Sequence, residues 1–131
     1  MGTYLQGMRT FVSRAITEAD TGTTVAVMDV PAGTLIPAYG VGVVVTEAFA
    51  GGTPALDVGD GDNDDGFVDT NDITETTVGA YWGDETTTAA YAAGGRYYAT
   101  ADTIDVVVSS SLTNGTAYVV VNYWDMTDIT G

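Results

Sequence analysis

The chain has 131 residues, of which 45% are hydrophobic, and its 18 acidic residues against 3 basic ones give a formal net charge of −15. This length predicts one domain, residues 1–131, and the hydrophobic content excludes a chain that is disordered by composition. Because DNA, RNA and anionic membranes all attract basic residues, the charge excludes nucleic acid and membrane surfaces as partners. Basic protein surfaces and divalent cations remain open as partners.

The chain contains neither cysteine nor histidine. Their absence excludes disulfides and thiol chemistry, together with the commonest general base and the commonest transition-metal ligand. The N-terminal segment has no apolar stretch typical of a secretory signal, and no apolar run approaches the ~20 residues that span a bilayer. We therefore expect neither a secretory signal nor a membrane span.

The N-terminal segment from Met8 to Ile16 has β character and carries two of the three arginines. Phe11 and Val12 are its expected anchors. Two interpretations are open: a first strand with solvated arginines, or an extended arm within residues 1–20 that docks on a neighbour's acidic surface. The candidate interface residues of this segment are Arg9, Phe11 and Arg14.

Short stretches rich in valine, threonine and tyrosine alternate with glycine and proline along the rest of the chain. This pattern is typical of β-strands joined by turns. In chain order, strands are predicted at 25–30, 34–36, 41–47, 55–58, 73–78, 79–82, 96–100, 104–109 and 117–124. Residues 86–93 fit either a short helix or an irregular strand. About eight short strands at this spacing predict an all-β fold, an antiparallel β-sandwich of the jelly-roll type.

The period-two alternation also predicts which side chains face the core. Val41, Val43 and Val45 share one face of their strand, and Ile104, Val106 and Val108 share one face of theirs.

The last predicted strand, 117–124, is preceded by Asn114-Gly115. This dipeptide is a strong hairpin signal and predicts that the last two strands pair. Both faces of the strand are largely apolar, which favours either a central strand or one whose outer face meets another subunit. The candidate interface residues here are Tyr118, Val120 and Trp124.

The segment Leu56–Ile73 holds seven aspartates and no basic residue. It is not an EF-hand: with Gly66 at the sixth position of the loop, the first ligand position is Gly61, and the flanks are strands. A looser calcium site remains one interpretation, and a solvated turn whose acidic side chains bond their own backbone is the other. The candidate metal ligands are Asp60, Asp62, Asp64, Asp65 and Asp69.

Paired carboxylates can act as the acid and base of a glycosidase. Here the abundant carboxylates lie in the charge-rich segment, and without histidine or cysteine no Ser-His-Asp or Cys-His set can form. The sequence therefore predicts no enzymatic activity.

Four segments share their turn and strand patterns with one group of proteins. They are Pro31–Ile36, Val41–Gly52, Val58–Phe67 and Arg96–Val106. Together they resemble small bacteriophage virion proteins of the capsid decoration (cement) or head-fibre type, over about residues 20–124. The resemblance implies a β-sandwich that binds the major capsid protein on the outer face of a phage head and stabilises the shell. It also implies a homo-oligomer, expected as a trimer, on the outer capsid surface of the virion.

Two other functions fit the same residues. One is a tail- or fibre-associated adhesion module that holds a host surface glycan with exposed aromatics, with or without calcium. The other is a subunit of an extracellular filament, for which open-ended assembly would be expected.

Overall fold

The valine- and threonine-rich stretches form ten strands among residues 7–84 and 87–128, the part of the chain that the computed structural model describes. Their bounds are β1 Arg9–Val12, β2 Ile16–Thr17, β3 Thr24–Val30, β4 Thr34–Ile36, β5 Val41–Ala50, β6 Leu56–Gly59, β7 Gly79–Trp82, β8 Arg96–Tyr98, β9 Asp102–Val108 and β10 Asn114–Asp125. Short 3₁₀ helices cover Glu18–Asp20, Thr70–Asp72 and Met126–Asp128. Over these residues, no helix has the length and apolar character needed to cross a membrane.

The longest strand, β10, organises a seven-stranded antiparallel sheet with the order β7-β5-β10-β4-β8. It pairs with β5 over Asn114–Val121 and with β4 at Trp124 and Asp125. The short strands β1 and β2 also pair with it. This central position agrees with one of the two interpretations of its apolar faces.

A second sheet of three strands, in the order β3-β9-β6, packs against the first across one hydrophobic core. The predicted alternation is confirmed. Every predicted core residue of β5 and β9 is at most 3% exposed: Val41, Val43, Val45, Ile104, Val106 and Val108. The predicted antiparallel β-sandwich is therefore confirmed, with ten described strands instead of about eight.

The predicted hairpin at Asn114-Gly115 is wrong, because β9 and β10 lie in different sheets. Gly115 instead lies inside β10, at a register irregularity against β5. Its φ of 133° belongs to the region that favours glycine, and a side chain there would collide with the ring of Phe49. Gly115 therefore serves a bulge and the close packing of Phe49.

The strand predicted at 73–78 is also wrong. The backbone turns there, with the Thr77 amide donating to the Thr74 carbonyl at 3.0 Å, and the Glu75 carbonyl accepting from the Phe49 amide at 2.9 Å. Of the ambiguous segment 86–93, residues 87–93 form irregular turns, and residue 86 lies outside the described part.

The N-terminal segment joins the large sheet through β1 and β2, so residues 9–12 and 16–17 pair with β10 and are not an extended arm. Residues 1–6 of the predicted arm lie outside the described residues. Phe11 packs against the core, whereas Val12 is 56% exposed. The two expected anchors separate because neighbouring residues in a strand point to opposite faces.

Candidate functional site

A row of residues crosses four strands on the side of the large sheet that faces away from the core. Trp82 of β7 is opposite Gly42 of β5, Gly42 is opposite Val120 of β10, and Val120 is opposite Val12 of β1. Directly opposed residues share a sheet face and lie close enough for their side chains to interact. Strand pairing thus brings together residues that are far apart in sequence.

The indole ring of Trp82 covers Gly42. A Cβ atom built on Gly42 would lie 2.6 Å from the Cε3 and Cζ3 atoms of that ring. The glycine therefore leaves room for the ring to lie over the strand, and Gly42 is buried beneath it. Trp82 remains 42% exposed.

Two further rows extend this surface, one from Ala80 through Val44 to Tyr118 and one from Tyr97 through Leu35 to Trp124. A polar row lies between the apolar ones, where the Thr10 hydroxyl donates to the side-chain oxygen of Asn122 at 2.8 Å. We call the whole surface the outer face. Its apolar members are Val12, Leu35, Val44, Ala80, Trp82, Tyr97, Tyr118, Val120 and Trp124.

The outer face carries little charge. Among the described strand residues that the register assigns to it, Glu47, opposite Thr116, is the charged one. Its carboxylate accepts a hydrogen bond from the Gly115 amide at 3.0 Å.

The predicted interface residues lie on the two faces of the large sheet and in the connection between β1 and β2. Tyr118, Val120 and Trp124 lie on the outer face and are half-buried. Phe11 packs against the core, and Arg9 is opposite Tyr123, which also packs against the core. Phe11 and Arg9 therefore both lie on the side of the large sheet that faces the core. The role of these residues in an interface stays a prediction.

Arg14, the sixth predicted interface residue, is exposed and pairs with the partly buried Asp20 at 2.9 Å. This contact lowers the pKa of Asp20, chiefly through the hydrogen bond from the guanidinium.

The small sheet turns a different surface outward. The register places Asp29, Asp57 and Asp105 on its outer side, with Asp105 opposite Ala26 and Asp57 opposite Val107. Burial is the largest cause of a raised pKa at both Asp57 and Asp105. We call this surface, together with the neighbouring loop 60–72, the acidic face.

Asp60 fixes the start of that loop, and its side chain is fully buried. One carboxylate oxygen accepts from the amides of Asp62 and Asn63 at 3.0 and 2.9 Å. The other accepts from the Tyr98 hydroxyl at 2.7 Å. Burial and then this hydrogen bond raise the pKa of Tyr98, so the hydroxyl stays a donor. Asp60 is therefore an anchor whose oxygens are already occupied by protein donors.

Arg96 completes this network. Its guanidinium lies 4.5 Å from the ring centroid of Tyr91 and 5.5 Å from that of Tyr98. Its Nε atom is 3.4 Å from Asp60, and its Nη2 donates to Asp62 at 2.8 Å. Stacking on aromatic faces and pairing with two carboxylates hold the cation in one orientation.

The other candidate metal ligands are engaged elsewhere or exposed. Asp69 caps the 3₁₀ helix Thr70–Asp72 by accepting from the Asn71 amide at 2.8 Å. The Thr88 hydroxyl lies 2.6 Å from the carboxylates of both Asp65 and Asp69, and its hydrogen bond is the main cause of the lowered pKa of Asp69. Asp64 is exposed.

The predicted ligands thus do not gather around one point. Carboxylate oxygens of Asp60, Asp62 and Asp102 lie within 4.8 Å of one another, but the Arg96 guanidinium already pairs with two of these three groups. These contacts match the interpretation of the loop as a turn whose acidic side chains bond nearby donors. Calcium binding stays a prediction from the sequence.

A cleft of about 440 Å³ opens beside this cluster. It brings the exposed Tyr97 together with carboxylates and a guanidinium, so it presents an aromatic ring, acceptors and donors at once. No sequence pattern predicts this cleft, because its walls come from separate parts of the chain: the loop after β6, and β8 with the β8–β9 connection. Its lining residues are Asp62, Arg96, Tyr97, Tyr98, Ala99, Thr100, Ala101 and Asp102.

Chains in two solved phage structures share this fold. One belongs to the cyanophage Pam1 capsid asymmetric unit, with a TM-score of 0.62 and 15% identity over 92% of this chain and 88% of that chain. The other belongs to the capsid of Ralstonia phage GP4, with a TM-score of 0.56 and 15% identity over 93% of this chain and 86% of that chain. No family model and no curated protein matches the chain. The predicted resemblance to phage virion proteins is therefore confirmed at the level of the fold.

Proposed function

We propose that the chain is a structural protein of a phage particle, a decoration or cement protein that binds the outer face of the head and stabilises it. The observation that carries this proposal is the extent of the fold likeness. It covers 92% and 93% of this chain and 88% and 86% of the two chains from phage capsids. A likeness of whole molecules favours a shared role in the particle over a shared local motif.

The function is association rather than catalysis. The described clusters hold carboxylates that cap turns, pair with Arg96 or bond tyrosine and threonine hydroxyls. The expected partners are the major capsid protein and further copies of this chain in a trimer on the virion surface. Since many copies act on one shell, each can bind modestly while multivalency makes the reinforcement strong.

The test is the composition and stability of particles. Mass spectrometry of purified virions is expected to find the chain in a fixed ratio to the major capsid protein. Heads prepared without it should release DNA at a lower temperature, and adding the purified chain should restore the higher temperature. Virions that lack the chain, or heads whose stability does not respond to it, would overturn the proposal.

The cleft beside Arg96 favours a second candidate function, retention on a host surface glycan. Sugar hydroxyls both donate and accept hydrogen bonds, and sugar rings stack on exposed aromatics such as Tyr97. Binding of the purified chain to immobilised neutral and amino glycans distinguishes the two functions. Retention that Tyr97→Ala abolishes, with no occupancy of heads, would favour adhesion over decoration.

A further inference from the structure

We propose that the outer face is the surface that docks on the shell, and that its occupant is a shell subunit with an apolar centre and a basic rim. A second copy of this chain is not its occupant. This inference rests on the proposed function and adds to it the surface, the orientation and the chemistry of the partner.

The first argument is exposure. Val12, Trp82 and Tyr97 lie on this one face and are 56%, 42% and 56% exposed. The half-buried Val44, Tyr118 and Val120 extend the apolar patch around Val12 and Trp82. Leu35 and Trp124 adjoin Tyr97 on the other side of the polar row of Thr10 and Asn122. Soluble monomers rarely expose large contiguous apolar patches, and such patches mark interaction sites.

The second argument is preorganisation. Strand pairing fixes the positions of these side chains, the valines have few rotamers, and Trp82 already lies against Gly42. Binding through such a surface loses little side-chain freedom, which is one of the main costs of association.

The third argument is charge, and it selects the occupant. The chain carries a net charge of −15, yet the described strands contribute only Glu47 to this face. Two copies meeting through this face would repel each other, because the described strands contribute no basic residue to it that could offset the charge of the second copy. A partner with basic residues around an apolar centre is instead attracted over long range and meets little desolvation cost at the centre.

The orientation follows from the opposite side of the sandwich. Asp29, Asp57 and Asp105 face outward from the small sheet. Of the carboxylates on this side of the sandwich, Asp29, Asp62 and Asp64 are exposed. With the outer face on the shell, these three point to solvent, where they keep the particle surface hydrated and soluble.

The experiment compares two substitutions that add the same charge on opposite faces. Val12 of β1 and Ala26 of β3 are both exposed strand residues, Val12 on the outer face and Ala26 opposite Asp105 on the acidic face. Heads assembled without the chain are titrated with labelled wild type, Val12→Asp and Ala26→Asp, and circular dichroism checks that each variant is folded. Trp82→Ser, which adds no charge, is a third variant.

Val12→Asp is expected to weaken head binding by about tenfold or more, with Ala26→Asp within about twofold of wild type. Trp82→Ser should also weaken binding, and wild-type affinity should fall as salt is raised.

Three outcomes would overturn the inference while leaving the proposed function intact. They are equal loss in Val12→Asp and Ala26→Asp, binding that is insensitive to salt, and a Val12→Asp change that acts only by dissociating a wild-type oligomer in light scattering. Wild type that fails to bind heads would instead overturn the proposed function, and this inference with it.

Discussion

The two outer surfaces of the sandwich are built from the same kind of strand and carry opposite chemistry. The large sheet turns Val12, Val120 and Trp82 outward. The small sheet turns Asp57 and Asp105 outward. Folding requires apolar residues only at the inward positions of each strand, so the outward positions are free to differ. Their composition therefore reports what each face meets, which we infer to be protein on one side and water on the other.

The comparison also separates two ways of using an acidic residue. Asp60 is fully buried and bonded on both oxygens, whereas Asp62 on the same loop is 73% exposed. A buried carboxylate with complete bonding determines local structure, and an exposed one mainly contributes charge.

The largest effect is expected for Asp60→Ala, which removes the anchor of the acidic face. It leaves the Tyr98 hydroxyl and Arg96 without their buried partner. Removing one member of a buried pair costs about 3–5 kcal/mol, and we expect the lower end because the Arg96 side chain is 30% exposed and can rehydrate. Urea unfolding followed by tyrosine and tryptophan fluorescence measures the loss.

Asp64→Ala is the matched control, since Asp64 is an exposed aspartate of the same loop. It removes the same charge and is expected to change the free energy of unfolding by less than about 0.5 kcal/mol. Equal destabilisation by both substitutions would mean that loop charge, and not the Asp60 network, determines stability.

The next effect is expected on the outer face, from Gly42→Ala. The added methyl group would meet the Trp82 ring, which must leave its place over the strand. Overpacking of this kind costs about 1–3 kcal/mol of the free energy of unfolding. We expect a cost near the lower value, because the Trp82 ring is partly exposed and can move away from the methyl group. Thermal unfolding measures the loss of stability, and tryptophan emission reports the displacement of the Trp82 ring.

The double variant Gly42→Ala/Trp82→Ala tests the cause. Without the indole the methyl group meets no ring, so the alanine at position 42 should cost less in this background than in the wild type. An unchanged cost would place the strain in the backbone of β5 and not in the ring contact.

Much of the fold could be predicted because inward positions repeat every second residue. The alternation in β5 and β9 identified six core residues correctly. Asn114-Gly115 led to a wrong prediction because the same dipeptide occurs both in hairpin turns and at β-bulges that need a glycine. The choice between them depends on which sheet the next strand enters, and that is decided by distant packing.

The candidate site was predictable only in part for a related reason. Tyr118, Val120 and Trp124 stand out because β10 is apolar on both faces. Val12 and Trp82 join them only through the register across four strands, which one sequence does not specify. Likewise, nothing in the sequence distinguishes the buried Asp60 from the exposed Asp64 of the same loop.

A smaller effect is expected from pH, at Glu75, which contacts Thr70 of the loop 60–72. This side chain is buried, its carboxylate accepts from the Thr70 hydroxyl at 2.6 Å, and burial is the main cause of its raised pKa. Just above its ordinary pKa of 4.5, the folded protein therefore binds more protons there than the unfolded chain does. The stability that this group contributes is complete below that value and is lost as pH rises through the raised pKa.

Glu75→Gln should remove this dependence. The free energy of unfolding of the wild type, from urea titrations at pH 7 and pH 5, should rise more on acidification than that of the variant. Glu18→Gln, which removes one acidic charge near β2, is the control for the general relief of repulsion. Equal slopes in Glu75→Gln and wild type would contradict the role given to burial.

The smallest effect on stability is expected for Val12→Thr, which tests whether the outer face serves folding at all. Val12 is 56% exposed, and threonine keeps its β-branched shape while replacing one methyl group by a hydroxyl. A surface substitution of this kind changes the free energy of unfolding by about 0.5 kcal/mol or less. Ile16→Thr, at a 1% exposed position of the neighbouring β2, provides the contrast, since a hydroxyl there enters the core and should cost several times more. If Val12→Thr proved as costly as Ile16→Thr in thermal unfolding, the apolar outer face would be part of this chain's own stability and not a surface kept for a partner.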